Sequence, residues 1–342
     1  MTNMDSRFLG NDKVGTKARP STTRPVVVVS RCLEFAPCRY NGLMIASPVV
    51  RRLRDFVDFV PVCPEVEMGL GVPRDPIRII EAGGTRRLYQ PATGRDCTRE
   101  MEGFSDKFLS ALPGADGFIL KSRSPSCGIK DVKAYRSPDE KQAPATSKAR
   151  GFFGGEVLER FPGLAAEDEG RLENLEIREH FLSRLWALAD LRQVGKTGRM
   201  EALVAFHSRR KLQLMAASQK ELRSLGRIVA NAERKPWDQV FGDYASGFRA
   251  ALSRRPRFTA NVNVLMHALG YFKEGLSQSE KSFFLDQLEA YRRGRLPLSA
   301  VSGITRSWIV RFGEKHLMGQ AFFAPYPEAL ADLADSGKGR RQ

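Results

Sequence analysis

Three of the five cysteines in this 342-residue chain follow short apolar segments, and together they could form a metal centre. Cys32 lies just after VVVVS, Cys63 closes FVDFVPV, and Cys127 comes six residues after FILK. Both zinc and iron–sulfur clusters prefer thiolate ligands. A closed zinc site usually takes four ligands in paired CxxC spacing, which this sequence lacks. Cys38 and Cys97 are weaker candidates, because Cys38 lies in the loop after Cys32 and Cys97 precedes a helix without following a strand.

The neighbours of these cysteines favour a catalytic site over three unrelated buried thiols. Cysteine is among the residue types most often buried, so spacing alone does not decide between the two interpretations. Glu65 follows Cys63 by two positions and Ser124 precedes Cys127 by three. A carboxylate and a hydroxyl at such a site could orient water and relay protons. A 4Fe–4S cluster held by three cysteines would leave one iron open, which as a Lewis acid could bind a sulfur atom of a substrate.

The segments that would position these residues alternate between strand and helix. Continuous apolar runs at 26–30, 56–63 and 116–121 are typical of buried parallel strands. Residues 77–90 predict a hairpin around a Gly-Gly turn, and 98–112 has the apolar spacing of a helix. In an open parallel sheet, residues beyond the carboxyl ends of the strands meet at one crevice. We therefore predict an α/β domain with a mainly parallel Rossmann-like sheet, and the three cysteines at one edge of it.

The rest of the chain predicts a second, all-α helical domain. Residues 137–150 are polar and predict a loop, and QVGKTGR (193–199) predicts a linker. Beyond this linker the apolar residues recur at helical spacing, without a strand pair. The predicted boundaries are a flexible N-terminus over 1–23, the sheet domain over 24–192, the helical domain over 200–330, and a tail over 331–342.

The composition excludes several classes of protein. With 42% hydrophobic and 27% charged residues, the chain is neither collagen, coiled coil nor wholly disordered. No apolar run approaches the roughly 18–20 residues that span a bilayer, so we expect no membrane partner. The polar N-terminal segment has no apolar signal sequence, and five cysteines do not make a disulfide framework. A reducing cytoplasmic location is therefore expected.

The second half of the chain carries most of the net charge of +16. Residues 195–342 hold 25 Lys/Arg against 13 Asp/Glu, which favours a polyanionic partner, although a merely solubilising surface has the same composition. Cations alternate with aromatics there, as in proteins that bind RNA by phosphate contacts and base stacking. Individually, Phe206, Phe272 and Tyr291 are better interpreted as core aromatics flanked by solvated charges.

Three segments around the cysteines resemble the signature motifs of the thiouracil desulfidase family, and they occur in the family's order. These are SRCLEFAPCRYNG (30–42), PVCPEVEMGLGVPRDP (61–76) and LKSRSPSCG (120–128). The helical half resembles the YbgA-type domain that is often fused behind this domain. The matching segments are FHSRRKLQLMA (206–216), LGRIVA (225–230), NVNVLMHALGYFK (261–273), YRRGRLPLSAV (291–301) and PYPEAL (325–330).

The resemblance implies a 4Fe–4S cluster on Cys32, Cys63 and Cys127, with acid–base roles for Glu65 and Ser124. It also implies that the thiocarbonyl sulfur of the substrate binds the open iron while water attacks the ring carbon. Sulfide then leaves, and no net redox change occurs.

Further residues of these motifs are candidates for contacts to substrate: Arg39, Tyr40, Asn41 and Ser126. Single-domain relatives usually have Leu-Gly after the first cysteine and Asp before the motif glycine, where this chain has Glu34-Phe35 and Asn41. We attribute these departures to the fused subclass. Cys38 lies where relatives vary, so we interpret it as a neighbour of the site or a bystander.

Fused relatives resemble desulfidases that convert 4-thiouridine in tRNA to uridine, so tRNA carrying 4-thiouridine, or thiolated nucleotides, is the expected partner. One alternative is a desulfidase of free thiouracil or thiouridine monophosphate only. Another is a non-enzymatic RNA-binding module with structural cysteines. A thiol oxidoreductase is least favoured, because neither a CxxC motif nor a GxGxxG dinucleotide fingerprint occurs.

Overall fold

The computed structural model describes residues 23–138 and 144–336, which form two compact units. The larger unit comprises 23–207, 219–255 and 325–336 within these described ranges. The smaller unit comprises 208–218 and 256–324. The predicted flexible N-terminus up to residue 22, the centre of the predicted 137–150 loop and the end of the predicted tail lie outside the described residues.

The elements alternate between strand and helix in the first half and are helical thereafter. The strands are β1 (Val26–Ser30), β2 (Asp58–Val62), β3 (Arg78–Ala82), β4 (Thr85–Gln90), β5 (Arg95–Asp96), β6 (Gly117–Leu120), β7 (Val132–Tyr135), β8 (Thr146–Ala149) and β9 (Ala165–Asp168). The helices are α1 (Pro48–Leu53), α2 (Pro64–Glu67), α3 (Thr98–Ser110), α4 (Phe152–Arg160), α5 (Leu175–Thr197), α6 (Met200–Ala217), α7 (Gln219–Ala230), α8 (Trp237–Leu252), α9 (Phe258–Gly270), α10 (Gln278–Arg292), α11 (Leu298–Phe312) and α12 (Lys315–Met318). Short 3₁₀ turns occur at Arg171–Glu173 and Glu328–Leu330.

A four-stranded parallel sheet with the order β2-β1-β6-β9 forms the centre of the larger unit. Its strands are apolar because both faces are covered. Val27 and Val29 pack with residues of α1 and α5 on one face, and Val28 packs in the core on the other. The predicted α/β fold with a mainly parallel sheet is therefore confirmed.

A second, mixed sheet has the order β5-β4-β3-β7-β8. The predicted hairpin is confirmed as the antiparallel pair β3–β4, whereas β3 and β7 are parallel. Two expectations about this region were wrong. Residues 146–149, expected in a loop, form β8 against β7. Cys97 does follow a strand, but that strand is β5 at the edge of this second sheet.

The predicted linker at 193–199 is also wrong, because α5 continues to Thr197 and ends at Gly198 with φ +65°. The reason is tertiary packing. A Cβ at Gly195 would lie 2.6 Å from Cζ of Phe241, so the missing side chain lets α8 approach this turn of α5. Helices α7 and α8 belong to the compact unit that contains the sheets, and the predicted domain boundaries stay predictions.

The smaller unit is helical throughout its described residues, as predicted. Phe272, Phe284, Tyr291 and Trp308 are buried in its core. Phe206 is buried in the larger unit, so the interpretation of Phe206, Phe272 and Tyr291 as core aromatics is confirmed. No helix among the described residues has the length and apolar character needed to cross a bilayer.

Candidate active site

The parallel sheet brings Cys32, Cys63 and Cys127 to one edge. β1 lies between β2 and β6, and each of these strands is followed by one of the three cysteines. Because adjacent parallel strands end on the same side, the three segments beyond them share one crevice. Cys63 directly precedes the short helix α2, and Cys127 lies in the loop between β6 and β7. The convergence expected from the sequence is present.

The three thiols lie close enough to influence one another. Burial, together with the nearby Cys127 and Cys63, raises the pKa of Cys32 to about 12. The pKa of Cys127 is also raised to about 12, mainly by burial and further by Cys63, while a hydrogen bond with Ser30 lowers it. All five cysteines are free. Protonation is favoured at such a cluster because several thiolates together, without a cation, would be costly.

Cys38 is a fourth thiol at this edge. It is 6% exposed, and its carbonyl oxygen lies 3.8 Å from Sγ of Cys63. Contact between the two side chains raises the pKa of Cys63 and lowers that of Cys38. This placement makes Cys38 an immediate neighbour of one expected ligand.

The cysteines of this site suit an iron–sulfur cluster better than a single metal ion. Among the described residues, no three His, Cys, Asp or Glu side chains stand in an arrangement suited to a single metal ion. An iron–sulfur cluster makes a different demand, because each thiolate binds its own iron around a larger core. Three free cysteines that follow adjacent strands offer the soft sulfur donors that such a cluster requires.

Glu65 and Ser124 are connected through Ser126. The hydroxyl of Ser126 donates to Oε1 of Glu65 at 2.6 Å, and Oγ of Ser124 lies 2.9 Å from Oγ of Ser126. Since a hydroxyl carries one proton, Ser126 accepts from Ser124 while it donates to Glu65. Oγ of Ser126 is also 3.9 Å from Sγ of Cys127. The two predicted acid–base residues are therefore joined by a hydrogen-bonded chain beside a thiol.

Arg74 binds the other carboxylate oxygen of Glu65, and Arg74 was not predicted from the sequence as a residue of this site. Its Nε and Nη2 donate to Oε2 of Glu65 at 2.9 and 2.5 Å. The pair is well buried, with side-chain exposures of 6% for Arg74 and 13% for Glu65. The sequence did contain a signal for Arg74, because it is the only cation in the motif PVCPEVEMGLGVPRDP, which also contains Glu65.

A second missed group lies next to Cys32. Lys121 and Glu169 directly follow β6 and β9, and Lys121 forms an ion pair with Glu169. Glu169 also accepts from the backbone N–H and the hydroxyl of Ser122. Both charges affect the pKa of Cys32, Lys121 lowering it and Glu169 raising it. Lys121 is the last residue of the apolar run 116–121 that predicts a strand, whereas no predicted strand precedes Glu169, so the sequence pattern gave a signal for Lys121 only.

The loop with Arg39, Tyr40 and Asn41 lies at the rim of the site. The backbone N–H of Arg74 donates to the carbonyl of Tyr40 at 2.8 Å. The side chain of Tyr40 is 42% exposed under the guanidinium of Arg39, and Asn41 caps the turn by accepting from the N–H of Leu43. Contacts of these residues to substrate stay predictions.

Glu34 and Phe35, which depart from the family pattern, fasten the neighbouring elements. The carboxylate of Glu34 accepts from the backbone N–H of Ser47 and from Arg51, whose hydrogen bond lowers the pKa of Glu34. The ring of Phe35 packs edge-on against Phe59 of β2. Both side chains thus serve the attachment of α1 and β2.

The Cys127 loop is held by direct backbone packing against the start of α4. The N–H of Gly154 donates to the carbonyl of Ser126 at 3.0 Å, and that of Gly151 donates to the carbonyl of Gly128 at 2.6 Å. A Cβ at Gly154 would lie 2.4 Å from the carbonyl oxygen of Cys127. Only glycine allows this approach.

Comparison with known proteins gives a family match for each half of the chain. Residues 27–169 match the family described as 2-thiouracil desulfurase, and residues 211–327 match a protein family of unknown function, DUF1722. The chain is 32% identical over 158 residues to the uncharacterized protein YbgA of Escherichia coli (strain K12), covering 46% of this chain and 93% of YbgA. It is 39% identical over 111 residues to the uncharacterized protein YbbK of Bacillus subtilis (strain 168), covering 30% of this chain and 73% of YbbK.

Among solved structures, the [4Fe-4S]-dependent thiouracil desulfidase TudS is similar to 44% of this chain over 93% of its own length, with 26% identity and a TM-score of 0.36. The chain belongs to the 2-thiouracil desulfurase (thiouracil desulfidase) family through its sheet-containing half and to the YbgA-like DUF1722 family through its helical half.

Replacing Gly154 by alanine should loosen the Cys127 loop. The new methyl group would meet two backbone carbonyls, of Cys127 at 2.4 Å and of Gly128 at 2.7 Å, and neither can move alone. We expect Gly154→Ala to lower the free energy of unfolding by about 1–3 kcal/mol, as overpacking does. Gly155→Ala is the matched control, because its nearest neighbour would be Cβ of Arg150 at 3.7 Å. It should be neutral or stabilising by up to about 1 kcal/mol in urea unfolding, and equal effects of the two variants would contradict this account.

Ser124 should have a structural role in addition to any chemical one. Its Oγ accepts hydrogen bonds from the backbone N–H groups of Ser126 and Cys127 at 3.2 and 3.1 Å. Ser124→Ala leaves both donors without this partner and should cost about 1–3 kcal/mol of unfolding free energy. Ser124→Thr keeps the oxygen and should remain close to wild type in the same denaturation experiment. A loss of equal size in both variants would show that these bonds do not stabilise the loop.

Proposed function

We propose that this chain is an iron–sulfur-dependent desulfidase that removes sulfur from 4-thiouridine in tRNA, or from its nucleotides, to give uridine and sulfide. The observation that carries the proposal is the placement of three free thiols and the Ser124–Ser126–Glu65 chain at one sheet edge. Membership of the 2-thiouracil desulfurase family supports the same chemistry. Free cysteines also agree with a reducing compartment such as the cytoplasm.

The thiolates of Cys32, Cys63 and Cys127 would hold a 4Fe–4S cluster. When bound, the cluster would supply a Lewis-acidic iron with affinity for the sulfur of a thiocarbonyl group. Cys38 and the ion pair of Lys121 with Glu169 surround this position and complete its polar environment.

The protein side chains would accept and donate the protons that move during the hydrolysis. In the balanced reaction, C=S and H₂O become C=O and H₂S, so both protons of the attacking water must leave its oxygen and the departing sulfur must gain two protons. Oε1 of Glu65 is placed to accept the proton of water. Ser126 and Ser124 extend this proton path, and the hydroxyl of Ser126 lies within 3.9 Å of Sγ of Cys127. Arg74 keeps Oε2 of Glu65 occupied, which leaves Oε1 for the proton path.

The smaller unit supports a polyanionic substrate. Its residues 208–218 and 256–324 contain 12 Lys/Arg against 5 Asp/Glu. Tyr271 is 52% exposed and its ring is stacked with that of His316 at 5.8 Å. Exposed cations with an exposed aromatic are the features that bind looped RNA through phosphates and base stacking. A thiolated base would have to leave its stack to reach the thiols.

Loss of any one of the three thiols should abolish both cluster and activity. Replacing groups that merely support metal ligands costs about 10–100-fold, so Cys32→Ala, Cys63→Ala and Cys127→Ala should each lose more than about 100-fold. The measurements are iron content and visible absorption after anaerobic reconstitution, and sulfide release from 4-thiouridine monophosphate and 4-thiouridine tRNA. Cys97→Ala is the control, since Cys97 follows β5 of the second sheet and not a strand of the parallel sheet, and this variant should keep iron and activity. An active colourless preparation, or equal loss in Cys97→Ala, would refute the cluster assignment.

Intact tRNA and the nucleotide should respond differently to charges on the smaller unit. Arg293 and Arg295 are exposed on the segment after α10. Arg293→Glu combined with Arg295→Glu should lower kcat/KM for 4-thiouridine tRNA by about tenfold and reduce the salt dependence by about one unit of slope per lost phosphate contact. Turnover of 4-thiouridine monophosphate should not change.

The matched control reverses two exposed cations of α3, Arg99→Glu with Lys107→Glu, at the same change in net charge. It should leave tRNA turnover near wild type. An equal loss in both double variants would assign the effect to net charge, and wild-type turnover of nucleotide without turnover of tRNA would favour the free-nucleotide alternative. RNA affinity retained in a triple cysteine variant, with no sulfide release by wild type, would favour the non-enzymatic module.

A further inference from the structure

We propose that Arg74 is a positioning residue that couples the carboxylate of Glu65 to the loop carrying Arg39, Tyr40 and Asn41. The proposal rests on the desulfidase function proposed above and adds to it. In this role Arg74 touches neither the thiols nor the substrate. It fixes the distance between the predicted proton acceptor and the predicted substrate loop.

The first part of the coupling lies at the carboxylate of Glu65, whose two oxygens accept hydrogen bonds from different residues. Both Nε and Nη2 of Arg74 donate to Oε2 of Glu65, while Ser126 donates to Oε1. The two oxygens therefore have different partners in different directions, which fixes the plane of the carboxylate. Because the Arg74–Glu65 pair is almost fully enclosed, these hydrogen bonds are stronger than they would be in water.

The second half is the attachment of the loop. Nη1 of Arg74 donates to the carbonyl of Cys38 at 3.1 Å and to that of Gly71 at 3.1 Å. The backbone N–H of Arg74 donates to the carbonyl of Tyr40 at 2.8 Å. Arg74 thus binds the loop at two carbonyls, on either side of Arg39, and binds Glu65 with the same guanidinium.

The planar guanidinium is what makes this coupling possible. Its five donors have fixed directions, so contacts to a carboxylate and to two carbonyls hold one another in place. A lysine at the same position would keep the charge but present a single rotatable ammonium, which cannot reach Glu65, Cys38 and Gly71 together. The ion pair of Arg31 and Glu67 is more exposed to solvent, with side-chain exposures of 31% and 38%, so it is held less rigidly than the pair of Arg74 and Glu65.

The test compares Arg74→Lys with Arg171→Lys in the full-length protein. Arg171 also makes two hydrogen bonds to one carboxylate, that of Glu167 at 2.7 and 3.2 Å, so it matches the chemistry of the change. A misplacement of about 1 Å at a reacting group can cost about 100-fold. We therefore expect Arg74→Lys to lower kcat for 4-thiouridine monophosphate by about 10–100-fold at unchanged iron content, whereas Arg171→Lys stays within about twofold.

A second readout does not depend on the loaded enzyme. In cluster-free protein, amide hydrogen exchange of residues 39–45 should be faster by about tenfold in Arg74→Lys, because local opening is controlled by the contacts that hold the loop. Exchange over β3 and β4 should be unchanged. A purely structural role of Arg74 would raise exchange throughout the unit instead. If Arg74→Lys does not fold, Glu65→Asp tests the coupling from the other end and should raise exchange over the same residues.

The outcomes separate this proposal from the one before it. Unchanged exchange over 39–45 in a folded Arg74→Lys or Glu65→Asp protein, or unchanged kcat in Arg74→Lys, would overturn the coupling. If wild-type protein releases no sulfide, the proposed function fails, and the exchange measurement still decides whether Arg74 couples the loop to Glu65.

Discussion

The register of β1 between β2 and β6 fixes where the thiols lie. Ser30 pairs with Val62 at the end of β1 and β2, and the N–H of Arg31 donates to the carbonyl of Val62 at 2.7 Å. Cys32 and Cys63 therefore leave the sheet within two residues of one shared rung. A slip by one residue would turn the side chains of β1 to the opposite face and expose the wrong valines to each core. The packing that stabilises the sheet thus also fixes the positions of these two thiols.

Beyond the sheet edge, hydrogen bonds hold the chain segments that carry the cysteines. The carbonyl of Cys32 accepts from the N–H of Ile45, and the carbonyl of Cys63 accepts from the first turn of α2. Oγ of Ser30 accepts from the N–H of Lys121 at 2.8 Å and so connects the ends of β1 and β6. A site whose loops are ordered in this way would lose little conformational freedom on binding the proposed cluster, and this would favour binding.

The sequence predicted the parts of the structure that depend on local pattern. Continuous apolar runs identify β1, β2 and β6, and the rule for parallel strands then brings Cys32, Cys63 and Cys127 together. Tertiary contacts decided the rest. The Gly and Lys residues near 195 resemble a linker, but packing of Gly195 on Phe241 keeps them helical. The contact between Arg74 and Glu65 could not be predicted from the sequence. The two residues are nine positions apart, the chain leaves helix α2 between them, and no helical or strand periodicity relates them.

The ion pair of Arg74 and Glu65 is better explained by geometry than by stability. Removing two charges from water costs about as much as their attraction returns, so apolar side chains of similar size would stabilise the fold equally well. Such side chains could not give the two carboxylate oxygens different partners. With Oε2 on Arg74 and Oε1 on Ser126, the carboxylate has one orientation relative to Cys127. Buried charge at this edge therefore has the same effect as the strand register, because both hold a side chain of the site, here the carboxylate of Glu65, in a fixed position.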